Sequence, residues 1–142
     1  MYGTEKYIKW AGEIIVEAQA ALEKEYKELE SKPEFDDKDF QYTWRVVSEE
    51  VKDIIESESA FYVVEKRKLC KNLLARAQDY YNVIKEARKL AKKGEITKES
   101  LESAIRFHNE VLRMVVNCDN MDGIRRKIKN CEFAIWAIEN PL

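Results

Sequence analysis

The sequence predicts an all-α protein: an antiparallel bundle of four to five helices whose third helix is long and basic. Three observations carry this. Only 4 Gly and 2 Pro interrupt 142 residues, so long stretches contain no helix breaker. Apolar side chains recur at steps of three and four along five segments, the period of a helix with one buried face. The charged residues, 37% of the chain against 45% apolar, fill the intervening positions, a composition typical of helical domains and too apolar for a disordered one. A chain of this length buries a core without metal or disulfide staples, and one domain spanning 1–142 is expected.

The first helix runs from about Thr4 to Ser31. Ile8, Ala11, Ile15, Ala18, Leu22 and Leu29 form its seam, which Glu25 interrupts once. Pro33 ends it, because proline offers no N–H and pushes Lys32 out of helical geometry. Asp36 or Asp37 caps a second helix with the stripe Phe40, Trp44, Val47, Val51 and Ile54. The polar stretch Ser57-Glu58-Ser59 separates it from a third helix, capped by Ser59 and running over 60–93. Its stripe is Val63, Cys70, Leu74, Ala77, Tyr81, Ile84 and Ala91. Unbroken, that helix is roughly 50 Å long, more than the diameter of a compact domain of this size, so it must bend, break or protrude. Gly94 is its natural C-cap. Thr97 caps a fourth helix with the stripe Leu101, Ile105, His108, Leu112 and Val115. After a turn at 117–120, a fifth carries Ile124, Ile128, Cys131, Ile135 and Ile138, and Pro141 stops it. The apolar stripe reaches the last residues, which predicts a docked C-terminus.

Charge is unevenly spread. Residues 1–58 hold 16 acidic and 8 basic side chains, whereas 59–142 hold 11 and 17. The excess of bases is concentrated in 59–93, with 10 Lys+Arg against 3 acids. The candidate nucleic-acid-binding residues there are Lys66, Arg67, Lys68, Lys71, Lys85, Lys89 and Lys92. On one continuous helix Lys71, Lys85, Lys89 and Lys92 share a side with Gln78 and Asn82, a stripe able to follow a phosphate backbone without reading sequence. Tyr80 and Tyr81 could add stacking. Arg125, Arg126 and Lys127 form a second basic group near the start of the last helix, where cations are unfavourable unless they face an anion. The competing expectation is that the acidic segment 34–58 neutralises the basic helix across the bundle through Glu49, Glu50, Asp53 and Glu56.

Other residue types point to structure rather than chemistry. His108, the one histidine, sits on an apolar seam and is expected buried and neutral. Trp10, Trp44 and Trp136 fall on or beside stripes and are expected in the core, while the pair Phe61-Tyr62 suits an interface. Three cysteines with no paired spacing read as free thiols, with Cys70 and Cys131 as small core residues. Cys131, six to eight residues into the expected last helix, stands about 10 Å along its axis from the turn that holds Cys118, beyond the reach of a disulfide unless the loop folds back. The carboxylates Glu49, Glu50, Asp53 and Glu56 lack a second acidic constellation to complete a metal site. A helical di-iron site needs Glu-x-x-His pairs, and Ile105 stands three residues before His108. Arg-x(4–6)-His pairs of helical ribonucleases are absent, as are P-loop, GxGxxG and GxSxG motifs.

No run of apolar residues is long enough to span a membrane and no secretory signal opens the chain, so a cytoplasmic location is expected. The reading is a non-catalytic interaction subunit of a larger assembly, without cofactor, metal or small-molecule substrate. It is expected to contact a nucleic-acid backbone, without sequence specificity, through 60–93, and to have a protein partner. In size, helical content and basic patch it resembles the helical small subunits of CRISPR effector complexes. The alternative is a small viral or mobile-element protein that binds and inhibits or scaffolds another protein through its acidic first half.

Overall fold

The computed structural model describes residues 1–115 and 118–142, with the backbone alone at Cys118 and Asp119. Among these residues the elements are α1 Glu5–Glu30, a 3-10 turn Pro33–Asp36, α2 Lys38–Ile55, α3 Ala60–Glu65, a second 3-10 turn Arg67–Cys70, α4 Leu73–Lys92, α5 Lys98–Met114 and α6 Cys118–Glu139. No β-strand is present among the described residues, so the all-α class holds, with six α-helices rather than four or five. The chain divides into two compact units, Met1–Asp79 and Tyr80–Leu142, and α4 contributes to both.

The first unit is built on the stripes of α1 and α2. Phe40, Trp44, Val47, Val51 and Ile54 are all buried, as are Ala11, Ile14, Ala18 and Leu29 of α1 and Ala60, Val63 and Val64 of α3. Buried polar groups on α2 bond back one turn: Thr43 Oγ1 donates to the Phe40 carbonyl at 2.9 Å and Ser48 Oγ to that of Arg45 at 3.0 Å. The caps are those the sequence indicates. Thr4 accepts from Tyr7 N, Asp37 from Asp39 N and Phe40 N, and Ser59 from Tyr62 N. Trp10 departs from expectation: it is 37% exposed and lies outside the core.

The N-terminal residues close over the α2–α3 junction. Tyr2 N donates to the Glu58 carbonyl at 2.6 Å, and Ala60 N donates to the Tyr2 carbonyl at 2.8 Å, forming an isolated parallel bridge. Gly3 makes this possible. Its φ is +139°, and a Cβ there would stand 3.0 Å from the Ala60 Cβ. Gly3→Ala is therefore expected to lower stability by about 1–3 kcal/mol, seen as a lower denaturation midpoint with an unchanged slope.

The expected helix 60–93 does not exist as one rod. α3 ends at Glu65, Arg67–Cys70 is a 3-10 turn, and Asn72 adopts φ +53° before α4 begins. Asparagine is among the few residues that accept this left-handed geometry. Side chains satisfy the backbone exposed by the break. Arg67 Nη1 donates to the Val64 carbonyl at 2.7 Å, and Arg76 Nη2 donates to that of Leu69. The Glu25 carboxylate accepts from Leu73 N at 3.3 Å and Leu74 N at 3.0 Å, so a residue of α1 caps α4. Here lies the reason that a glutamate interrupts the α1 seam.

In the second unit Tyr80 stacks on Phe133 with centroids 4.3 Å apart. Arg88 Nη1 donates to the carbonyls of Ala137 at 3.1 Å and Asn140 at 2.7 Å, closing the open C-terminal carbonyls of α6. These rungs ascend on both helices, so the end of α4 runs parallel to the end of α6. Gly94, at φ +72°, terminates α4, and a Thr97–Ser100 capping box starts α5. α5 returns antiparallel, its Lys98 reaching Glu139 of α6 at 3.4 Å.

α6 differs from expectation in two ways. It begins at Cys118, so Cys118–Asn120 are helical rather than part of a turn; Asn117 lies outside the described residues. Its buried side chains are Phe133, Ala134 and Ala137, whereas the row Ile124, Ile128, Cys131, Ile135 and Ile138 is half-buried. At 100° per residue the two sets occupy different faces, one turned to α4 and the other to α5. His108 is likewise half-buried, its ring 5.5 Å from that of exposed Phe107. Trp136 is half-buried beneath the Arg88 guanidinium. Leu142 is 97% exposed, so the chain end is not docked.

Candidate binding surfaces

The break at 66–72 distributes the sequence-predicted basic residues over three places. Lys66, Arg67, Lys68 and Lys71 belong to the linking segment of the first unit. Lys66 and Arg67 are half-buried there, and Lys68 and Lys71 are exposed. Lys71 precedes α4 in extended geometry, φ −124° and ψ 156°, so it does not continue the helical stripe as expected. Lys85, Lys89 and Lys92 remain together. They lie within about 60° of one another on α4 and all are exposed. Arg125, Arg126 and Lys127 are exposed on α6, and Arg125 faces Asp122 at 3.8 Å.

The arginines of the basic segment are committed to structure. Arg76 and Arg88 cap backbone carbonyls, and Arg67 does so while lying 5.1 Å from the centroid of the Trp10 ring. The lysines of α4 are different. The Lys85 ammonium sits 4.5 Å from the Tyr81 ring centroid, a cation–π contact that holds the stem against the helix. Lys89 and Lys92 form no ion pair among the described residues. Positions 78, 82, 85, 89 and 92 read Gln, Asn, Lys, Lys and Lys, a row without an acid, with exposed Glu86 one turn from Lys89 at its edge.

A second surface lies in the first unit. Tyr7 packs between two neighbours, stacked on Trp10 at a centroid distance of 5.9 Å and tilted against Phe61 at 4.8 Å. Phe61 and Tyr62 are exposed at 51% and 40%. Beside this aromatic set an open cleft of about 670 Å³ separates α1 from the linking segment, with Trp10, Ile14, Glu17 and Glu28 on one side and Arg67 and Lys71 on the other. Sequence periodicity does not reveal this cleft, because the linking segment that forms its far wall is read as helix.

Cys70, buried in the cleft floor, is a poor nucleophile. Burial pushes its thiol above the usual range, against the opposing pull of the Arg76 guanidinium. Burial also raises Cys131, and the charge of Glu132 adds to the effect. Among the described residues no three His, Cys, Asp or Glu side chains converge on a possible metal position, and no helix is long and apolar enough to cross a membrane. Glu49, Asp53 and Glu56 are exposed on α2.

Comparison with protein-family models, curated proteins and solved structures finds no match to this chain.

Proposed function

We propose that this protein is a non-catalytic binding module that holds a nucleic-acid phosphate backbone against the lysine face of α4. The observation that carries the reading is the acid-free row of exposed Lys85, Lys89 and Lys92 on one rigid helix. Their Cα atoms span about 10 Å, enough to reach two or three successive phosphates. Lysine acts as a point charge on phosphate, without the bidentate geometry that reads a base, and Gln78 and Asn82 on this face are joined by no arginine aimed at a base, since Arg76 and Arg88 bond backbone carbonyls. The expected binding is therefore electrostatic and indifferent to sequence.

Salt dependence tests this. Each neutralised phosphate adds about 0.7 to the slope of log K against log salt on a single strand and about 0.9 on a duplex. Changing Lys85, Lys89 and Lys92 together to Gln should flatten the slope by roughly two units on a labelled single strand. The circular dichroism and melting midpoint should stay unchanged, because exposed surface substitutions move stability by about 0.5 kcal/mol or less. A slope that survives the triple substitution contradicts the assignment.

A second reading, binding of a protein partner, is favoured by the exposed aromatics Trp10, Phe61 and Tyr62 and by the mixed charge of the adjoining cleft. Exposed Glu49, Asp53 and Glu56 would add an acidic face. On that reading, aromatic substitution removes binding while the α4 lysines are dispensable.

A further inference from the structure

α5 is amphipathic over its 17 residues, yet none of them is buried. The Lys98–Glu139 pair fixes which side meets α6: Lys98, Leu101, Ile105 and Leu112 fall within about 60° on that side. Phe107 points roughly 160° away from Ile105, on the outward side. Ala104, Val111 and Met114 share this outward stripe, in which Phe107 is 65% and Met114 75% exposed. α5 thus has a second apolar stripe whose largest side chains, Phe107 and Met114, are exposed, while Ala104 and Val111 are half-buried. Aromatic and methionine side chains in such a stripe are the residues that interfaces favour.

One edge of the stripe carries Glu99, Arg106, Glu110 and Arg113, alternating in sign; the opposite edge, with His108, carries no Asp, Glu, Lys or Arg. Arg113 and Glu110 meet at 2.8 Å within the chain, but with side chains 73% and 66% exposed. Such a pair is worth little and leaves both groups available to another partner. An alternating edge is complementary to itself when two copies lie antiparallel, because two-fold symmetry then brings the same edge of each helix together. In a parallel pair each charged edge meets the uncharged one.

We propose that α5 pairs antiparallel with α5 of a second copy of this chain. Phe107 of each copy packs against Phe107 of the other, and Ala104 against Val111, which also brings Glu99 of each copy within one helical turn of Arg113 of the other. In this register Arg106 of each copy lies within one helical turn of Glu110 of the other. The contact is one helix of about 25 Å against its own copy, at the small end of specific interfaces, so association is reversible and concentration-dependent. This inference is independent of the phosphate-binding role of α4.

Sedimentation velocity of the full chain over a range of concentrations tests it. The parent chain should show a reversible monomer–dimer equilibrium, and Phe107→Glu should raise the dissociation constant by roughly 30-fold or more. Two further variants carry the test even if Phe107→Glu fails to fold. Arg106→Glu with Arg113→Glu makes the edge wholly acidic; Glu99→Lys with Glu110→Lys makes it wholly basic. Each variant alone should be monomeric, and an equimolar mixture should recover the dimer. A parent chain that stays monomeric at every concentration overturns the proposal. So does a dimer untouched by folded Phe107→Glu, or a mixture no more associated than its components.

Discussion

Phe133→Ala is expected to cost about 3–5 kcal/mol of stability, the range for removing a fully buried aromatic ring. Phe133 is 2% exposed and stacks on Tyr80 at 4.3 Å with planes 24° apart, so truncation removes both the buried area and the ring contact that joins α4 to α6. Neighbours on this side of α6 are alanines, Ala134 and Ala137, which cannot extend to fill the void. Chemical denaturation followed by circular dichroism measures the loss. Val16→Ala, at a residue 65% exposed, serves as reference and should shift stability by no more than about 0.5 kcal/mol. A Phe133→Ala variant as stable as that reference contradicts the packing of α4 on α6.

Glu25→Ala is the second large effect, at about 2–3 kcal/mol. It leaves Leu73 N and Leu74 N, both in part-buried bonds to the Glu25 carboxylate, without an acceptor, and unsatisfied donors cost about 1–3 kcal/mol. It also removes a negative charge from the N-terminus of α4. Glu25→Gln keeps an acceptor and loses the charge, so it should fall between parent and Glu25→Ala. Hydrogen exchange gives a local readout: Leu73 and Leu74 amides should lose protection first. Glu23→Ala, on the same helix with its side chain 73% exposed, should be near neutral. Equal stability of the Glu23 and Glu25 variants would mean that α4 is not capped from α1.

The sequence made legible whatever depends on neighbours within a few turns. All five residues of the Phe40–Ile54 stripe are buried, and Thr4, Asp37, Ser59, Gly94 and Thr97 mark element ends as their chemistry requires. The break at 66–72 was not legible, because no Pro or Gly marks it and its closing contact comes from Glu25, 48 residues before Leu73. The one local sign was that glutamate on an apolar seam. Periodicity does not single out Phe133, because α6 has two apolar faces and the pattern follows the longer row of isoleucines. The position of Trp10 beside a stripe predicts a core residue, whereas it lies exposed beside Tyr7, under the Arg67 guanidinium. For the candidate site, lysine composition was readable but not its geometry: the break takes Lys71 off the face that Lys85, Lys89 and Lys92 keep.

The central claim is that this face touches phosphate, and amine-reactive labelling read by peptide mass spectrometry tests it residue by residue. The protein is labelled alone and with a single-stranded oligonucleotide at low salt. Exposed Lys32 and Lys52, on the first unit, provide internal references. The account predicts that the oligonucleotide slows acylation of Lys85, Lys89 and Lys92 and that added salt restores it, while Lys32 and Lys52 react at an unchanged rate. Equal labelling of all five lysines with and without oligonucleotide contradicts it.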